Sequence, residues 1–390
     1  MPSEPTPSDL TVLMPCLNEA DTVATCVEKA VRAIRELGIA GEVVVADNGS
    51  TDGSQKLATD AGARVVAVPA KGYGAALMGG IEAARGRWVV MGDADDSYDF
   101  LELGKFITKL REGHDLVQGC RLPWGGGTIK PGAMPFLHRW WGNPMFTLMA
   151  RWMFGSPVHD IYCGLRGFRK DWQQGLDQRC TGMEFATEML IKASLTGAKI
   201  SEVPITLHPD GRKAHAPHLK TFRDGWRTLR FFLVSSPRWL FVIPGLAGLA
   251  LGGLGYVLAF PGVAVWGARL DAHTLLFASL ALIMGWTSLI FGVVTKVFSV
   301  RERLLPPSRR LDRLLKAMPL ERSLILSGLS AAGGIILLLL AVNHWRLAGF
   351  GPLDYASTMR LVIPGATLVA LGFASAMGAF VISMINLPRR

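Results

Sequence analysis

From Leu10 to about Val68 the apolar positions alternate between two periods, which predicts strand, helix, strand, turn, helix, strand. Leu10–Met14 is an apolar starter strand. Ala20–Leu37 follows as a helix, with Val23, Val27, Val31 and Ile34 at helical spacing. Glu42–Ala46 and Ala63–Val68 make the second and third strands, with a helix after Gly53 between them. A further helix fits Ala75–Ala84, and Arg87–Met91 makes a fourth strand. Strands alternating with helices predict βαβ units around a parallel sheet. Beyond it a helix is expected at Leu103–Arg111, a strand at Asp115–Gly119, and an edge strand at Val203–Leu207, where Pro204 is tolerated. The Gly- and Trp-rich stretch from Pro123 to Gly155 yields only helical pieces within Leu137–Phe154.

The pattern changes after residue 217. His218–Leu233 sorts Lys220, Arg223, Arg227 and Arg230 onto one helical stripe and Phe222, Trp226, Leu229 and Leu233 onto another. A basic, aromatic, amphipathic helix of this kind lies flat on an anionic membrane surface. Four apolar stretches follow, about Leu240–Val265, His273–Phe298, Ser323–Asn343 and Leu361–Asn386. Each reaches the roughly 20 residues needed to cross a hydrocarbon core. The loop between the second and third holds Arg301, Arg303, Arg309, Arg310, Arg313, Lys316 and Arg322, whereas the other two connections hold Arg269, then Arg346 and Arg360. The excess of cations on one side predicts that the basic loop, the N-terminal domain and the terminal Pro388-Arg389-Arg390 face the cytoplasm, in a multi-pass plasma-membrane protein. The expected organisation is a flexible tail (1–9), an α/β domain (10–217), an amphipathic juxtamembrane helix (218–238) and a transmembrane domain (239–390).

Composition alters this picture little. The 390 residues are 50% hydrophobic, an average that hides the apolar C-terminal third. The net charge of +10 is compatible with nucleic acid, anionic lipid or a phosphate-rich substrate. The cations gather at the membrane boundary without a nucleic-acid-binding motif, so nucleic acid is not an expected partner. Five cysteines, none in a C-x-x-C pair, argue against a disulfide framework or a zinc site. The Pro/Ser-rich start MPSEPTPSDL has no signal-peptide pattern.

Chemistry concentrates at the ends of three strands. The fourth runs into MGDADDSYDF, in which Asp93 and Asp95 offer oxygen ligands to a hard cation, Mg²⁺ or Mn²⁺, that shares its shell with substrate phosphates. The second ends in DNGSTDGS, where Asp47 and Asp52 could accept from a nucleobase or ribose; an Asx turn and helix cap explain the same residues. The first ends in Met14-Pro15-Cys16-Leu17-Asn18-Glu19. Parallel α/β sheets bind ligands at this edge.

Together, P-x-x-N-E within Leu13–Glu19, DNGSTDGS, GYGAALMGG at Gly72–Gly80 and DADD at Asp93–Asp96 resemble the family 2 glycosyltransferases. The resemblance, over about Leu10–Leu233, is greatest to the polyprenyl-phosphate hexosyltransferases, the dolichyl-phosphate mannose and glucose synthase-like group. It implies a Rossmann-like GT-A catalytic domain that takes a hexose from GDP-mannose or UDP-glucose and transfers it, with inversion, to a polyprenyl phosphate. By position, Pro15, Glu19 and Asp47 would contact the nucleoside, with Asp52 and Lys71 in the same donor site. Asp93 and Asp95 would hold the metal on the diphosphate, Asp95 with a catalytic role; where some members place a Gln, this chain has Ser97. Arg121 and Arg139 match positions that cradle phosphate, Arg121 also as a catalytic residue. Arg212, Lys213, His218 and Lys220 are further acceptor-phosphate candidates. Glu184, four residues before Glu188, is the candidate for a catalytic sugar contact. Val203–Leu207, preceded by Glu202, resembles the segment that closes the family's catalytic domain.

The acceptor class has independent support. A phosphate monoester is already anionic near neutral pH and attacks without a general base, whereas a hydroxyl needs one. Two other readings stand beside this one. The first is a hydroxyl-acceptor glycosyltransferase making a glycolipid or polysaccharide; the Q-x-x-R-W signature of processive synthases is absent. The second is a non-catalytic membrane protein retaining the domain, although the four stretches hold almost no ionisable residue for a transport path. A homo-oligomer is compatible with all three.

Overall fold

The computed structural model describes residues 8–212, 221–265 and 267–387. The chain divides into two compact units, Met1–Phe232 and Leu233–Arg390.

The first unit alternates strand and helix as its periodicity predicts. β1 (Leu10–Cys16), α1 (Val23–Glu36), β2 (Gly41–Asp47), α2 (Ser54–Asp60), β3 (Arg64–Ala67), α3 (Tyr73–Ala83) and β4 (Trp88–Met91) come first. α4 (Leu103–Arg111), β5 (Leu116–Cys120), β6 (Thr128–Ile129), α5 (Asn143–Phe154), β7 (Arg166–Arg169) and α6 (Lys170–Gly175) follow. α7 (Phe185–Thr196), β8 (Ile200–Pro204), β9 (Thr206–Leu207) and α8 (Thr221–Ser235) complete it. Seven strands form one sheet in the order β3-β2-β1-β4-β7-β5-β8. The expected wholly parallel sheet is corrected at one strand: β7 runs antiparallel to both β4 and β5. The expected edge strand Val203–Leu207 is corrected to two strands: β8, at the edge of this sheet, ends at Pro204, and β9 pairs with β6 in a separate two-stranded sheet.

Two buried layers flank the sheet, one with Val12, Val27, Phe100 and Phe106, the other with Leu13, Leu77, Phe168 and Phe185. Strand order reverses at β1 and β4, the switch point where such sheets open a ligand crevice. The β1–β4 ladder stops at Leu13↔Met91, two residues before Pro15. Pro15 therefore removes no bond from that ladder, which explains a proline inside a central strand.

The stretch that resisted assignment contains a 3₁₀ turn at Pro123–Gly125, a π-helical turn at His138–Gly142 and α5. Phe146, Ala150 and Phe154 of α5 are buried, while Trp141, Met145, Leu148 and Trp152 form an exposed apolar stripe at helical spacing. α8 departs from the expected stripes: Phe232 is its fully buried anchor, set edge-on against Phe146 and Phe154, whereas Trp226 is 61% exposed. Arg223, Arg227 and Arg230 are exposed.

The second unit is helical. After a π-helical turn at Arg238–Val242 come α9 (Ile243–Ala259), a hairpin of β10 (Ala264–Val265) and β11 (Ala268–Arg269), α10 (Ala272–Arg301), α11 (Arg309–Ala317), α12 (Leu320–Leu347) and α13 (Tyr355–Ile385). Four segments are long and apolar enough to cross a membrane: Arg238–Ala259, Ala272–Arg301, Leu320–Leu347 and Tyr355–Ile385. The first ends at Ala259 rather than at the expected Val265, because the chain turns into the hairpin. α9 and α10 cross at glycines: a Cβ on Gly285 would stand 2.7 Å from the Gly245 carbonyl. Inside this unit the Tyr256 hydroxyl shares hydrogen bonds with Ser279 (2.6 Å) and Thr367 (3.2 Å), which pairs these three hydroxyls among apolar helices.

Candidate active site

The loops after β1, β2 and β4 deliver the candidate donor residues to the switch point. Two of these loops contain a non-glycine residue in the left-handed region, Asn18 (φ 59°) and Asp96 (φ 61°), residue types that tolerate it. Asp96 thereby turns away from its neighbours to pair with Lys29 of α1 at 2.7 Å. Asp99 caps the following turn by accepting from Leu101 N–H. This leaves Asp93 and Asp95 as the two carboxylates of DADD that face the crevice loops.

Asp93 accepts from the Tyr73 hydroxyl at 2.9 Å. Burial first, and then the charge of Asp95, push its carboxyl up to about 6. Asp95 is held by Ser97, whose hydroxyl donates at 2.6 Å and whose N–H donates at 3.0 Å to the same oxygen. Ser97, at the position where some relatives carry Gln, thus orients the carboxylate beside it. Among the described residues, no group of three or more His, Cys, Asp or Glu forms a protein cage for a metal. Two mutually repelling carboxylates at a strand end fit a divalent ion that completes its shell with substrate oxygens.

The second-strand candidates are already engaged. Asp47, buried, accepts from Gly49 and Ser50 N–H and from the Gln55 amide. Partial burial works against ionisation of Asp52, but hydrogen bonds from Ser54 and from Ala20 N–H hold its carboxyl below the usual range. Both satisfy the Asx-turn reading. Lys71 donates to Asn48 O at 2.7 Å, and the Asn48 side chain ties Val68, Ala70 and Gly72 together. Glu19 sits against this loop through Ser54, whose hydroxyl accepts from Glu19 N–H.

Arg121, at the end of β5, is buried and forked onto Asp160, with Nε at 2.7 Å and Nη2 at 2.9 Å. Asp160 is fully buried and also accepts from Arg121 and Tyr162 N–H. Glu202 in turn accepts from His159 and Asp160 N–H, so this edge strand braces the loop. Burial opposes the Arg121 charge, but the Asp160 carboxylate raises its pKa well above the ordinary value. His138, in the π-helical turn that also carries Arg139, is held below its ordinary pKa by burial and by the Arg121 charge. Arg139 has a buried Nε with no hydrogen-bond partner among the described residues.

One loop, 160–165, joins these two halves. Gly164 donates its N–H to the Tyr98 hydroxyl at 2.8 Å, and a Cβ there would stand 2.8 Å from Asp93 Oδ2. Only glycine leaves room for that carboxylate. Arg166, fully buried, fixes the loop by donating to the carbonyls of Ile161, Cys163 and Ala186. Asp160, Tyr98, Tyr73 and Arg166 were not found from sequence; apart from the buried polar network itself, no local pattern marks them.

Glu188 is structural: it is buried, pairs with Lys192 at 2.9 Å and accepts from Arg179 and Cys180 N–H. Glu184, at the start of α7, makes no side-chain hydrogen bond among the described residues, its carbonyl accepting from Glu188 N–H at 2.8 Å. The loop before it presses on the N-terminus of α3, where a Cβ on Gly72 would meet Thr181 O at 2.3 Å. Arg212 lies among carboxylates, contacting Glu19, Asp95 and Asp210. Lys213, His218 and Lys220 lie outside the described residues, as does Pro388-Arg389-Arg390.

Residues 11–175 match the model of glycosyl transferase family 2, and residues 293–386 that of the glycosyltransferase family 2 C-terminal transmembrane region. The chain is 37% identical over 385 residues to the low-salt glycan biosynthesis hexosyltransferase Agl6 of Haloferax volcanii, covering 97% of this chain and 89% of that protein. It is 31% identical to the glycosyltransferase AglJ of the same organism, over 76% of this chain and 93% of that one. A dolichyl-phosphate hexose transferase of that organism is 33% identical over 57% of this chain and 92% of its own length. The sheet order, the strand-end carboxylates and these likenesses agree: the chain belongs to glycosyltransferase family 2, with a GT-A catalytic domain and the family's membrane-spanning C-terminal region, and it groups with the polyprenyl-phosphate hexosyltransferases.

Proposed function

We propose that the protein transfers a hexose, mannose or glucose, from a GDP- or UDP-linked donor to a polyprenyl phosphate, giving a polyprenyl-phosphate β-hexose. An oxygen of the acceptor phosphate forms the new bond to the anomeric carbon from the face opposite the nucleotide. The bond to the diphosphate breaks, and its electron pair leaves with the nucleoside diphosphate. The observation that carries this reading is the 160–165 loop, whose Asp160 forks Arg121 while its Gly164 lies close against the Asp93 carboxylate.

In this reading Asp93 and Asp95 hold a Mg²⁺ or Mn²⁺ ion, with Ser97 fixing the Asp95 oxygen. Such an ion supplies Lewis-acid stabilisation of the departing diphosphate. Arg121, kept charged by Asp160, gathers the acceptor phosphate with Arg139. The phosphate needs no general base, and none of the engaged carboxylates has to act as one. Glu19, Asp47, Asp52 and Lys71 shape the nucleoside side of the crevice, and Glu184 contacts the sugar. The exposed Trp141, Met145, Leu148 and Trp152 stripe and the arginines of α8 support a lipid-borne acceptor. The basic connection between α10 and α12 supports a cytoplasmic catalytic unit.

The test supplies membranes carrying the protein with labelled GDP-mannose or UDP-glucose. Label entering a lipid that is mild-acid-labile and mild-base-stable supports the proposal. Product stable to mild acid would instead assign a hydroxyl acceptor, with Glu184 as the candidate base. No lipid-linked label from any common nucleotide-sugar would refute both.

A further inference from the structure

The chain leaving β9 is stitched over the β4 loop by two backbone hydrogen bonds, His208 N–H to Ser97 O and Gly211 N–H to Asp95 O, each 2.9 Å. Gly211 is pressed close enough that a Cβ would stand 2.9 Å from the Thr22 methyl group. The next side chain, Arg212, is thereby delivered into the donor crevice, 11% exposed.

Its guanidinium meets three carboxylates. Nη1 donates to Glu19 at 3.1 Å, Nη2 to Asp95 Oδ2 at 3.0 Å, and Nε and Nη2 to Asp210 at 2.9 and 2.5 Å. Glu19 follows β1 and Asp95 follows β4, so one cation bridges both sides of the switch point. Ser97 already occupies Asp95 Oδ1. Both oxygens of Asp95 are therefore engaged, and a second cation approaching Oδ2 meets the like charge of Arg212, which donates to that oxygen at 3.0 Å. Asp210, two residues from Arg212 and partly exposed, can keep hold of the guanidinium after the other contacts open.

We infer that Arg212 is a displaceable internal counter-ion of the donor site. Before donor loading it neutralises Glu19 and Asp95, which would otherwise repel each other in a partly buried crevice. Loading of a divalent cation with the nucleoside diphosphate expels the guanidinium, which then becomes available to the acceptor phosphate. Donor binding thus precedes productive acceptor binding, because one cation serves both sites in turn. This inference rests on the donor-site reading above.

The test measures Mn²⁺ alone binding to the purified full-length chain, without nucleotide, from the free Mn²⁺ spin-resonance signal. Arg212→Gln is expected to bind Mn²⁺ about tenfold more tightly than the unaltered chain, through loss of a charge-assisted competitor. Arg212→Lys, a point charge without the fork, should fall between, and it serves as the readout if the Gln variant does not fold. Asp95→Asn should abolish binding. In parallel, phenylglyoxal modification of Arg212, read by peptide mass, should rise severalfold when Mn²⁺ and UDP or GDP are added. Unchanged or weaker Mn²⁺ binding in the Arg212 variants, or modification that does not rise, overturns the inference. If Asp95→Asn binds as the unaltered chain does, the metal reading itself fails; if it abolishes binding and the Arg212 variants do not tighten it, only the counter-ion role falls.

Discussion

Replacing Asp93 by Asn should stabilise the metal-free catalytic unit while removing its response to metal. Asn keeps an oxygen for the Tyr73 hydroxyl and loses only the charge. In the native crevice, burial and Asp95 raise the Asp93 carboxyl from 3.8 to about 6. At about 1.4 kcal/mol per pH unit, ionised Asp93 costs the folded state up to about 3 kcal/mol at neutral pH. Asp93 is partly exposed, so screening lowers the expectation to about 1–2 kcal/mol, a rise of about 2–8 °C in the melting of a unit this size. The sign follows from proton binding. The folded state holds this proton more tightly than the unfolded chain, so the native protein loses stability as pH rises between about 4 and about 6. The gain in Asp93→Asn is therefore absent at the low end of that window and complete above it. The assay is thermal unfolding of the full-length chain in detergent with EDTA, across that pH range, followed by addition of Mn²⁺. A variant less stable than the native chain at pH 7.5, or a difference that does not vary with pH, would refute the assignment of charge strain to Asp93.

Asp160→Asn leaves Arg121 buried without its carboxylate and should lower the stability of the catalytic unit by about 3–5 kcal/mol in denaturant titration; a loss under 1 kcal/mol would contradict the buried-pair account. Phe232→Ala removes the ring packed on Phe146 and Phe154 and should cost about 3–4 kcal/mol, whereas Trp226→Ala, on the exposed side of the same helix, should stay within about 0.5 kcal/mol. Ser97→Ala should fold normally and bind Mn²⁺ about tenfold more weakly, because Asp95 loses the hydroxyl that aims it; affinity equal to that of the native chain would remove Ser97 from the site.

Much of the architecture was legible because it rests on local periodicity. The β1, α1, β2 and α4 segments and the four apolar helices each carry their signal within a single window, and the DADD loop announces itself as charge at a strand end. The α5 region was not legible, since Phe146, Ala150 and Phe154 face inward while Trp141, Met145, Leu148 and Trp152 face outward. With apolar residues on both faces the helical period disappears. The surroundings of Arg121 and Arg212 were half legible. Arg121 could be singled out, but its partner Asp160 lies 39 residues on, and Arg212 meets Glu19 across 193 residues. Contacts at such separations leave no mark in a window, so the sequence could nominate the cations without saying which carboxylates hold them.

The antiparallel β7 has a consequence for the order in which the catalytic unit assembles. β1 to β4 pair with near neighbours in sequence, and their crevice loops are complete by Asp99. β5 and β8 join that half only through β7, whose partner in β4 lies about eighty residues earlier, Trp88 opposite Arg169. A chain emerging from the ribosome can therefore close the β1–β4 half first. The half built on β5 and β8 must wait, with β5 unpaired, until Arg169 is made. That late, non-local closure is the slow step expected of this topology, and it leaves an open strand edge as the point at which a nascent chain is most exposed to misassociation.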